Sequence, residues 1–223
     1  MYITKIFLYN KDSEINEIDL MNACKNENEE IVKKLIQDGV DVNMKNEIGD
    51  TPLTISCEKE NLNIIKCLIE HGAKTNISNA TGNSPLTILC KNESEKSIEI
   101  LNYFLEKEEE LKCINGKDEN GHTPLLIACY FKNSKILSKL IKKEANLNSQ
   151  NNYGDTPLIL SSFFKNKAVI LKLTKYGANI NIQNKFGDTC ISVAEKYQYK
   201  NELKALEKIK GKISTLFSFF KNY

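Results

Sequence analysis

A short motif that recurs at a nearly fixed interval is the strongest constraint on how this chain of 223 residues folds. The clearest copy reads Gly-Asp-Thr-Pro-Leu-Thr and begins at Gly49. Further copies begin at Gly82, Gly121, Gly154 and, in a worn form without the proline, Gly187. The glycines are separated by 33, 39, 33 and 33 residues, and all four prolines lie in the motif. Self-similarity at such a period predicts stacked repeats that bury their apolar faces against one another.

Each repeat is predicted to contain two helices. In the copy after Gly49, Thr51 suits the N-cap of a first helix, and Pro52 suits its first turn, where a missing N–H costs nothing. Apolar residues then recur with helical spacing over 62–69, and Gly72 follows at a position where a left-handed backbone ends a helix. The pattern therefore predicts helix–turn–helix units joined by turn-rich segments.

The motif divides the chain into three parts. We predict an N-terminal extension over 1–12, a repeat domain over 13–210 and a phenylalanine-rich tail over 211–223. The predicted repeats are 13–45, 46–78, 79–117, 118–150, 151–183 and 184–210. The first and last depart from the motif, as repeats that cap the two ends of a stack are expected to do.

The third repeat, 79–117, is longer than the others because 39 residues instead of 33 separate its motif glycine from the next. We assign three of the six extra residues to the turn between its helices and three to the segment after the second helix. Glu108-Glu109-Glu110 replaces the helix-ending glycine, which indicates that this helix runs on. Insertions in repeats usually lie in loops, so we interpret the extra residues as a tolerated insertion.

Composition narrows the class of protein. No apolar run approaches the roughly 20 residues of a membrane-spanning helix, and residues 1–10 do not have the pattern of a signal peptide. The seven cysteines lack metal-ligand spacing, and four of them share one slot in successive repeats, which predicts small buried side chains. These four are Cys24, Cys57, Cys90 and Cys129. An odd number of free cysteines favours a reducing compartment, which is the cytoplasm, the nucleus or the interior of a host cell.

The units resemble ankyrin repeats over about 13–210. The family's Gly-x-Thr-Pro-Leu-His motif is matched except at the histidine, and its Gly-Ala-Asp-Val-Asn ending is echoed after Gly39 and Gly177. The residues in the histidine position are Thr54, Thr87, Leu126, Ile159 and Ser192. The resemblance implies an all-α solenoid of helix–turn–helix units with projecting β-hairpin loops. It also implies a concave groove, built from hairpin tips and first helices, that usually binds another protein.

Bulky aromatic residues occupy groove positions of the last three repeats that are usually variable and exposed. Earlier repeats have residues such as Glu58 and Lys91 at the equivalent helix positions. Aromatic anchors dominate the binding energy of many interfaces, so we predict a partner-binding site here. The candidate residues are Tyr130, Phe131, Tyr153, Phe163, Phe164, Phe186, Tyr197 and, at a hairpin tip, His122. The alternative is that some of them, Phe164 above all, belong to the core, or that the tail covers them.

Two features near the C-terminus have ordinary structural interpretations. The phenylalanines of the tail at 217, 219 and 220 suit a cap over the last repeat, although they also suit a partner motif or a membrane-surface helix. Lysines spaced by four from Lys196 to Lys208 suit a solvated helix face. A nearly neutral chain without arginine-rich or base-reading motifs argues against nucleic-acid binding.

No catalytic residue, cofactor-binding residue or metal ligand is predicted. His71 and His122 are the only histidines, and neither has a nucleophile or an acid at a spacing that indicates catalysis. We therefore predict a monomeric, non-enzymatic module, a scaffold or adaptor whose partner is another protein, with no cofactor, small-molecule substrate, nucleic acid or membrane. One alternative is a regulatory subunit or effector that docks on an enzyme or degradation machinery, with the tail as a second motif. A second alternative function is that of a structural spacer that has no one specific ligand. A third alternative is an enzyme.

Overall fold

The structure, a computed structural model, describes residues 20–106 and 114–221, with side chains up to Gly211. Its helices are α1 (20–25), α2 (Glu29–Gln37), α3 (Pro52–Lys59), α4 (Leu62–Glu70), α5 (Pro85–Lys91), α6 (Glu95–Glu106), α7 (Pro124–Tyr130), α8 (Ser134–Lys142), α9 (Pro157–Phe163), α10 (Lys167–Lys175), α11 (Cys190–Lys196) and α12 (Lys200–Lys221). The predicted N-terminal extension, Glu108-Glu109-Glu110 and the phenylalanine side chains of the tail lie outside this range.

The all-α prediction is confirmed. The described residues form helices in pairs, one pair to each repeat, and contain no strand. The loops that were expected to be β-hairpins are therefore tight turns without paired strands in this part of the chain. Two compact units are present, Met1–Ile88 and Leu89–Tyr223, and the boundary between them falls within α5.

Packing stabilises helices that are too short to persist alone. The first helices α7, α9 and α11 have seven residues each, and isolated helices of that length are marginal in water. In the second unit α9 packs against α7, α10 and α11. Side chains such as Leu125, Leu137 and Leu158 are almost completely buried between the helices. Each first helix therefore depends on the repeats beside it.

The N-terminal caps follow the sequence prediction. Thr51 accepts a hydrogen bond from the backbone N–H of Thr54 at 3.1 Å, and Pro52 is the first helical residue. Thr156 and Pro157 repeat this arrangement at the start of α9. The four cysteines that share a slot are all buried, as predicted.

The placement of extra residues between the helices of the third repeat is wrong. α6 begins ten residues after Pro85, which is also the separation between Pro52 and the start of α4. α6 instead has 12 residues where α4 has 9. Its apolar face continues for another turn to the buried Phe104 and Leu105, so burial favours a longer helix over a longer turn. Residues 107–113, which come next, lie outside the described part of the chain.

Three of the motif glycines lie where one turn approaches the next. Gly154 has a φ of +81°, and a Cβ added to it would lie 2.8 Å from the backbone nitrogen of Lys185. Gly49 and Gly121 have equivalent conformations and equally close neighbours. Glycine is therefore required both for its backbone angle and for the close approach. Gly187 keeps the backbone angle but has no atom within 4 Å of an added Cβ, because no further turn follows it.

An asparagine three residues before four of the five motif glycines organises the turn, and Asp118 takes this position before Gly121. Asn184 Oδ1 accepts hydrogen bonds from the backbone N–H groups of Phe186 and Asp188, both at 2.9 Å. Its Nδ2 donates to Asp155 Oδ1 of the preceding turn at 2.8 Å. In the first unit Asn79 makes the same link to Asp50 at 2.8 Å. We call this set of links between successive turns the amide ladder.

Reversing the chemistry of one link tests the amide ladder. Asn184→Asp retains the two accepted backbone hydrogen bonds but places a carboxylate against Asp155. We expect the free energy of unfolding to fall by about 1–3 kcal/mol, because a buried donor is lost and two acids face each other. The double variant Asn184→Asp/Asp155→Asn exchanges the two groups and should regain at least half of the loss. Urea denaturation measures both, and an unchanged midpoint for Asn184→Asp would contradict the ladder.

A non-glycine residue at a helix C-terminus offers a stabilising substitution. Glu144 follows α8 with a φ of 61°, at the position where Gly72 and Gly177 follow α4 and α10. Its N–H donates to Ile141 O and the next N–H donates to Leu140 O, which is the hydrogen-bond pattern of a glycine-terminated helix. Glu144→Gly should raise the free energy of unfolding by about 1 kcal/mol, because left-handed backbone is unfavourable for other residues. The reciprocal Gly177→Glu should lower it, and thermal and urea unfolding measure the two changes.

Candidate functional site

The candidate site lies at the turns between the first and second helices of the last three repeats. In each, the first helix ends at an aromatic residue or lysine, an aromatic C-cap follows, and the next residue has a left-handed backbone. We call the six aromatic residues of these turns the aromatic turn surface. They are Tyr130, Phe131, Phe163, Phe164, Tyr197 and Tyr199.

Aromatic pairs connect neighbouring repeats in the same register. The Tyr130 and Phe164 rings pack edge to face with centroids 5.1 Å apart. Thirty-three residues further along, Phe163 and Tyr197 make the equivalent contact at 6.0 Å. Edge-to-face pairs at these distances are favourable beyond the area that they bury. The repeat period therefore aligns the aromatic residues of three turns along one surface.

Further ring contacts extend this surface at both ends. Phe131 packs against Tyr130 at 5.3 Å, and Tyr199 stacks on Tyr197 at 5.6 Å with an interplanar angle of 19°. Tyr199 was not among the sequence candidates. It occupies the N-cap position of the second helix, where Asn133 and Asn166 stand in the two preceding repeats. That departure from a repeated asparagine was the signal in the sequence.

Much of the aromatic turn surface is accessible. Tyr130 is 51% exposed, Phe131 42% and Tyr197 47%. Phe163, Phe164 and Tyr199 are half-buried beneath them. Phe164, for which a core role was the alternative, is thus neither fully buried nor free, since Tyr130 covers part of its ring. Contiguous exposed aromatic area of this kind usually marks an interaction site.

Two other candidates lie apart from this surface, at the tips of the turns before α9 and α11. Tyr153 is 57% exposed and Phe186 is 74% exposed, and their rings contact no other aromatic ring in the described part of the chain. The backbone N–H of Lys185 donates to Tyr153 O at 2.9 Å, which fixes one tip beside the next. The sequence candidates therefore form two groups, the aromatic turn surface and these tip residues.

His122 connects the two regions and has a structural role. Its ring lies 6.4 Å from that of Tyr130, so it reaches from the turn before α7 towards the end of that helix. Asn151 Nδ2 lies 3.3 Å from His122 Nε2, and His122 Nδ1 lies 3.4 Å from Asp118 Oδ2. The Asn151 amide donates when Nε2 lacks a proton, which places the ring proton on Nδ1 facing the carboxylate. His122 thus faces the asparagine of the following turn in the amide ladder, as Asp155 does one repeat later. Contact between His122 and a partner stays a prediction.

Lysine side chains lie against two of the rings. Lys132 Nζ is 6.0 Å from the centre of the Phe164 ring, and Lys165 Nζ is 5.2 Å from the centre of the Tyr199 ring. Both lysines have left-handed backbones, with φ of 59° and 54°. Cations at these distances are attracted to the faces of aromatic rings. The aromatic turn surface is therefore positively charged as well as apolar.

The buried cysteines are poorly suited to nucleophilic chemistry. Burial raises the pKa of the Cys129 thiol to about 12 and that of Cys24 to about 11. Burial also raises the pKa of Cys57 and of Cys90. Because the thiolate is the reactive form, these side chains are inert near neutral pH.

A further group of polar side chains lies in the first unit. A shallow polar groove of about 480 Å³ includes Lys33, Lys66, Cys67 and His71 in its lining. The pKa of the half-exposed Cys67 is raised by burial, and His71 Nδ1 lies 2.8 Å from the Cys67 carbonyl oxygen. Across 20–106 and 114–221, no three His, Cys, Asp or Glu side chains lie together as metal ligands. In the same ranges, no helix is long and apolar enough to cross a membrane.

Comparison with known proteins identifies the family. The family model described as ankyrin repeats, in three copies, matches residues 20–115 and again 95–184. The chain belongs to the ankyrin repeat family. Ankyrin repeats are protein–protein interaction modules, and their fold is generally a non-catalytic scaffold. No curated protein matches the sequence.

Several solved structures resemble the fold over most of the chain. The ankyrin repeat protein EF0377 is 25% identical, with a TM-score of 0.74, over 85% of this chain and 96% of that one. A chain in the complex of the predatory endopeptidase Bd0816 from Bdellovibrio bacteriovorus with the immunity protein Bd3460 is 26% identical, with a TM-score of 0.72, over 85% and 97%. The ankyrin domain of Bcl-3, a member of the IkappaB family, is 20% identical with a TM-score of 0.77 over 86% and 85%, which shows the fold alone.

Proposed function

We propose that this ankyrin repeat protein is a non-catalytic interaction module that binds a partner protein through the aromatic turn surface of repeats four to six. The observation that supports it most directly is the set of aligned, exposed aromatic contacts, which recurs with the repeat period. Partly exposed, well-packed aromatic side chains are typical binding hot spots. Their mutual contacts also hold them in place before binding, so association costs little ordering entropy.

The tip residues provide a second contact region for the same partner. Tyr153 and Phe186 present large apolar side chains on turns that the amide ladder holds in place. The sequence prediction combined these tips and the helix ends in one groove. In this proposal the aromatic turn surface supplies the anchors and the tips extend the contact, with His122 as a support.

The alternative function, a regulatory subunit or effector with the tail as a second motif, has one observation in its favour. α12 has 22 residues and continues past Gly211 to Lys221 without interruption. The predicted tail is thus an extension of the last helix, which could present a second motif at a fixed position. Partner capture that depends on residues 211–223 would favour this alternative over binding by the aromatic turn surface alone.

We further propose that the protein works in a reducing compartment, either the cytoplasm or nucleus of its own cell or the interior of a host cell. The support is that all six described cysteines are free, and most are buried. Disulfides would be expected in an extracellular protein of this cysteine content.

Partner capture with matched variants tests the proposed function. The turn variant Tyr130→Ser/Phe131→Ser/Tyr197→Ser removes the most exposed anchors, and the control variant Leu171→Ser/Tyr176→Ser removes two similarly exposed apolar side chains of α10 and its C-cap. We expect wild type and control to capture the same partner from native lysate, and the turn variant to lose it.

The affinity of a purified partner should fall at least about a hundredfold in the turn variant, because hot-spot truncations often cost 2 kcal/mol or more each. Thermal unfolding checks that all three proteins are folded. Equal capture by the turn variant would contradict the proposed site. Loss of capture only in a Tyr153→Ser/Phe186→Ser variant would place the anchors at the tips instead.

A further inference from the structure

The three turns that form the aromatic turn surface have an unbalanced charge. Residues 130–135, 163–168 and 196–201 contain six lysines and no aspartate or glutamate. The lysines are Lys132, Lys135, Lys165, Lys167, Lys196 and Lys200. The equivalent turns of the first three repeats are acidic or mixed: 25–30 contains three glutamates and 58–63 contains two. The positive charge is therefore specific to the turns that carry the aromatic residues.

Most of this charge has no acidic counterpart among the residues that the structure describes. Lys135 pairs with Glu95, and none of the other five lysines has a carboxylate within ion-pairing distance among the residues that the structure describes. Lys132 and Lys165 lie over aromatic rings instead. A cation over a ring still attracts an anion, so each of these lysines can bind a carboxylate while its stem stays on the ring.

We propose that the segment bound by the aromatic turn surface is an acidic, extended stretch of a partner protein with apolar anchors among its carboxylates. This inference rests on the proposed function and specifies the chemistry of the partner. Carboxylates complement the unpaired lysines, and apolar side chains complement Tyr130, Phe131 and Tyr197.

The repeat period suggests the spacing of the anchors. Neighbouring packed helices lie about 8–10 Å apart, so equivalent aromatic positions recur at about that distance. A bound segment in the polyproline II conformation advances about 3.1 Å per residue with three residues per turn, so every third residue lies on one face and meets the next repeat. Acidic residues in the two intervening positions then face the lysines.

Lysines and aromatic rings together are also typical of surfaces that bind nucleic acid. This surface is nevertheless poorly suited to that ligand. When a protein binds single-stranded nucleic acid, the bases stack on the open faces of its aromatic rings. Here Lys132 lies over Phe164, while Lys165 and Tyr197 both lie against Tyr199. The sequence also contains no arginine, the residue best suited to phosphate and base recognition. Carboxylates can reach the lysines from the side without displacing these contacts.

Charge reversal at two positions tests the inference without disturbing the fold. Lys132 and Lys165 occupy the left-handed position after the first helix, and Glu27 and Glu60 occupy the same position in the first two repeats with φ of 56°. The variant Lys132→Glu/Lys165→Glu therefore installs a residue that this turn already accepts. The control Lys142→Glu/Lys175→Glu makes the same change of charge at exposed positions in the last turns of α8 and α10.

The probes are fluorescent 12-residue peptide pools with Leu or Phe at every third position and either Glu and Asp or Lys elsewhere, together with labelled oligo(dT). Binding to the full-length protein is followed by anisotropy at low and moderate salt. We expect the acidic pool to bind more tightly than the basic pool, and added salt to weaken it. The reversal variant should weaken it at least about tenfold, and the control should bind as wild type does.

The outcomes separate this inference from the proposed function. Equal binding of the acidic and basic pools, or an acidic pool that is insensitive to the reversal variant, would overturn the inference. Tighter binding of oligo(dT) through the same lysines would also overturn it, in favour of nucleic acid. If lysate capture still depends on the aromatic residues in those cases, the proposed function stands and only the chemistry of the partner is wrong. If capture is indifferent to the turn variant as well, both fail.

Discussion

The structure depends on the close approach of successive turns at the motif glycine. At Gly154 the backbone of the next turn lies where a Cβ would be, and the only residue that fits also supplies the positive φ. The asparagine three residues earlier fixes the turn with its carbonyl oxygen and binds the preceding turn with its amide nitrogen, as Asn184 does with Asp155. At these turns glycine permits the contact and asparagine makes it specific, and the described residues contain no strand that would position the turns by a β-ladder. The first helices, which are too short to be stable alone, begin from these fixed turns.

Because the repeats stack regularly, aromatic residues at equivalent positions of successive repeats lie side by side and form one surface. Tyr130 and Phe163 occupy one slot, and Phe164 and Tyr197 occupy another, so a contact that forms once forms again one repeat later. A ring that packs on its neighbour loses little freedom on binding, which makes partial burial useful for recognition. The lysines that follow the C-caps add charge at the same interval. The fold therefore sets the spacing, and the residues at variable slots set the chemistry.

The sequence predicts the features that depend on local residues repeated in each copy of the motif. It does not predict the features that depend on contacts between residues far apart in the chain. Thr51 and Pro52 identify a helix start by themselves, and the period identifies the family. The exposed aromatic residues could be found because their slots are usually polar. The start of α6 was misplaced because Ser97 stands where α4 has Ile64, which hides the register of the apolar face. The role of His122 depends on Asn151, 29 residues away, and no local pattern connects them. Tyr199 could have been found because an aromatic residue stands where four other repeats have an N-cap asparagine.

Amide hydrogen exchange of the full-length protein, measured alone and bound to the partner that it captures, shows which residues the partner covers. We expect slower exchange on binding in residues 130–135, 163–168 and 196–201, with smaller changes at the tips near Tyr153 and Phe186. The last turns of α8 and α10 should not change. Unchanged exchange in all three turns, with protection elsewhere in the chain, would show that the aromatic turn surface is not the binding site.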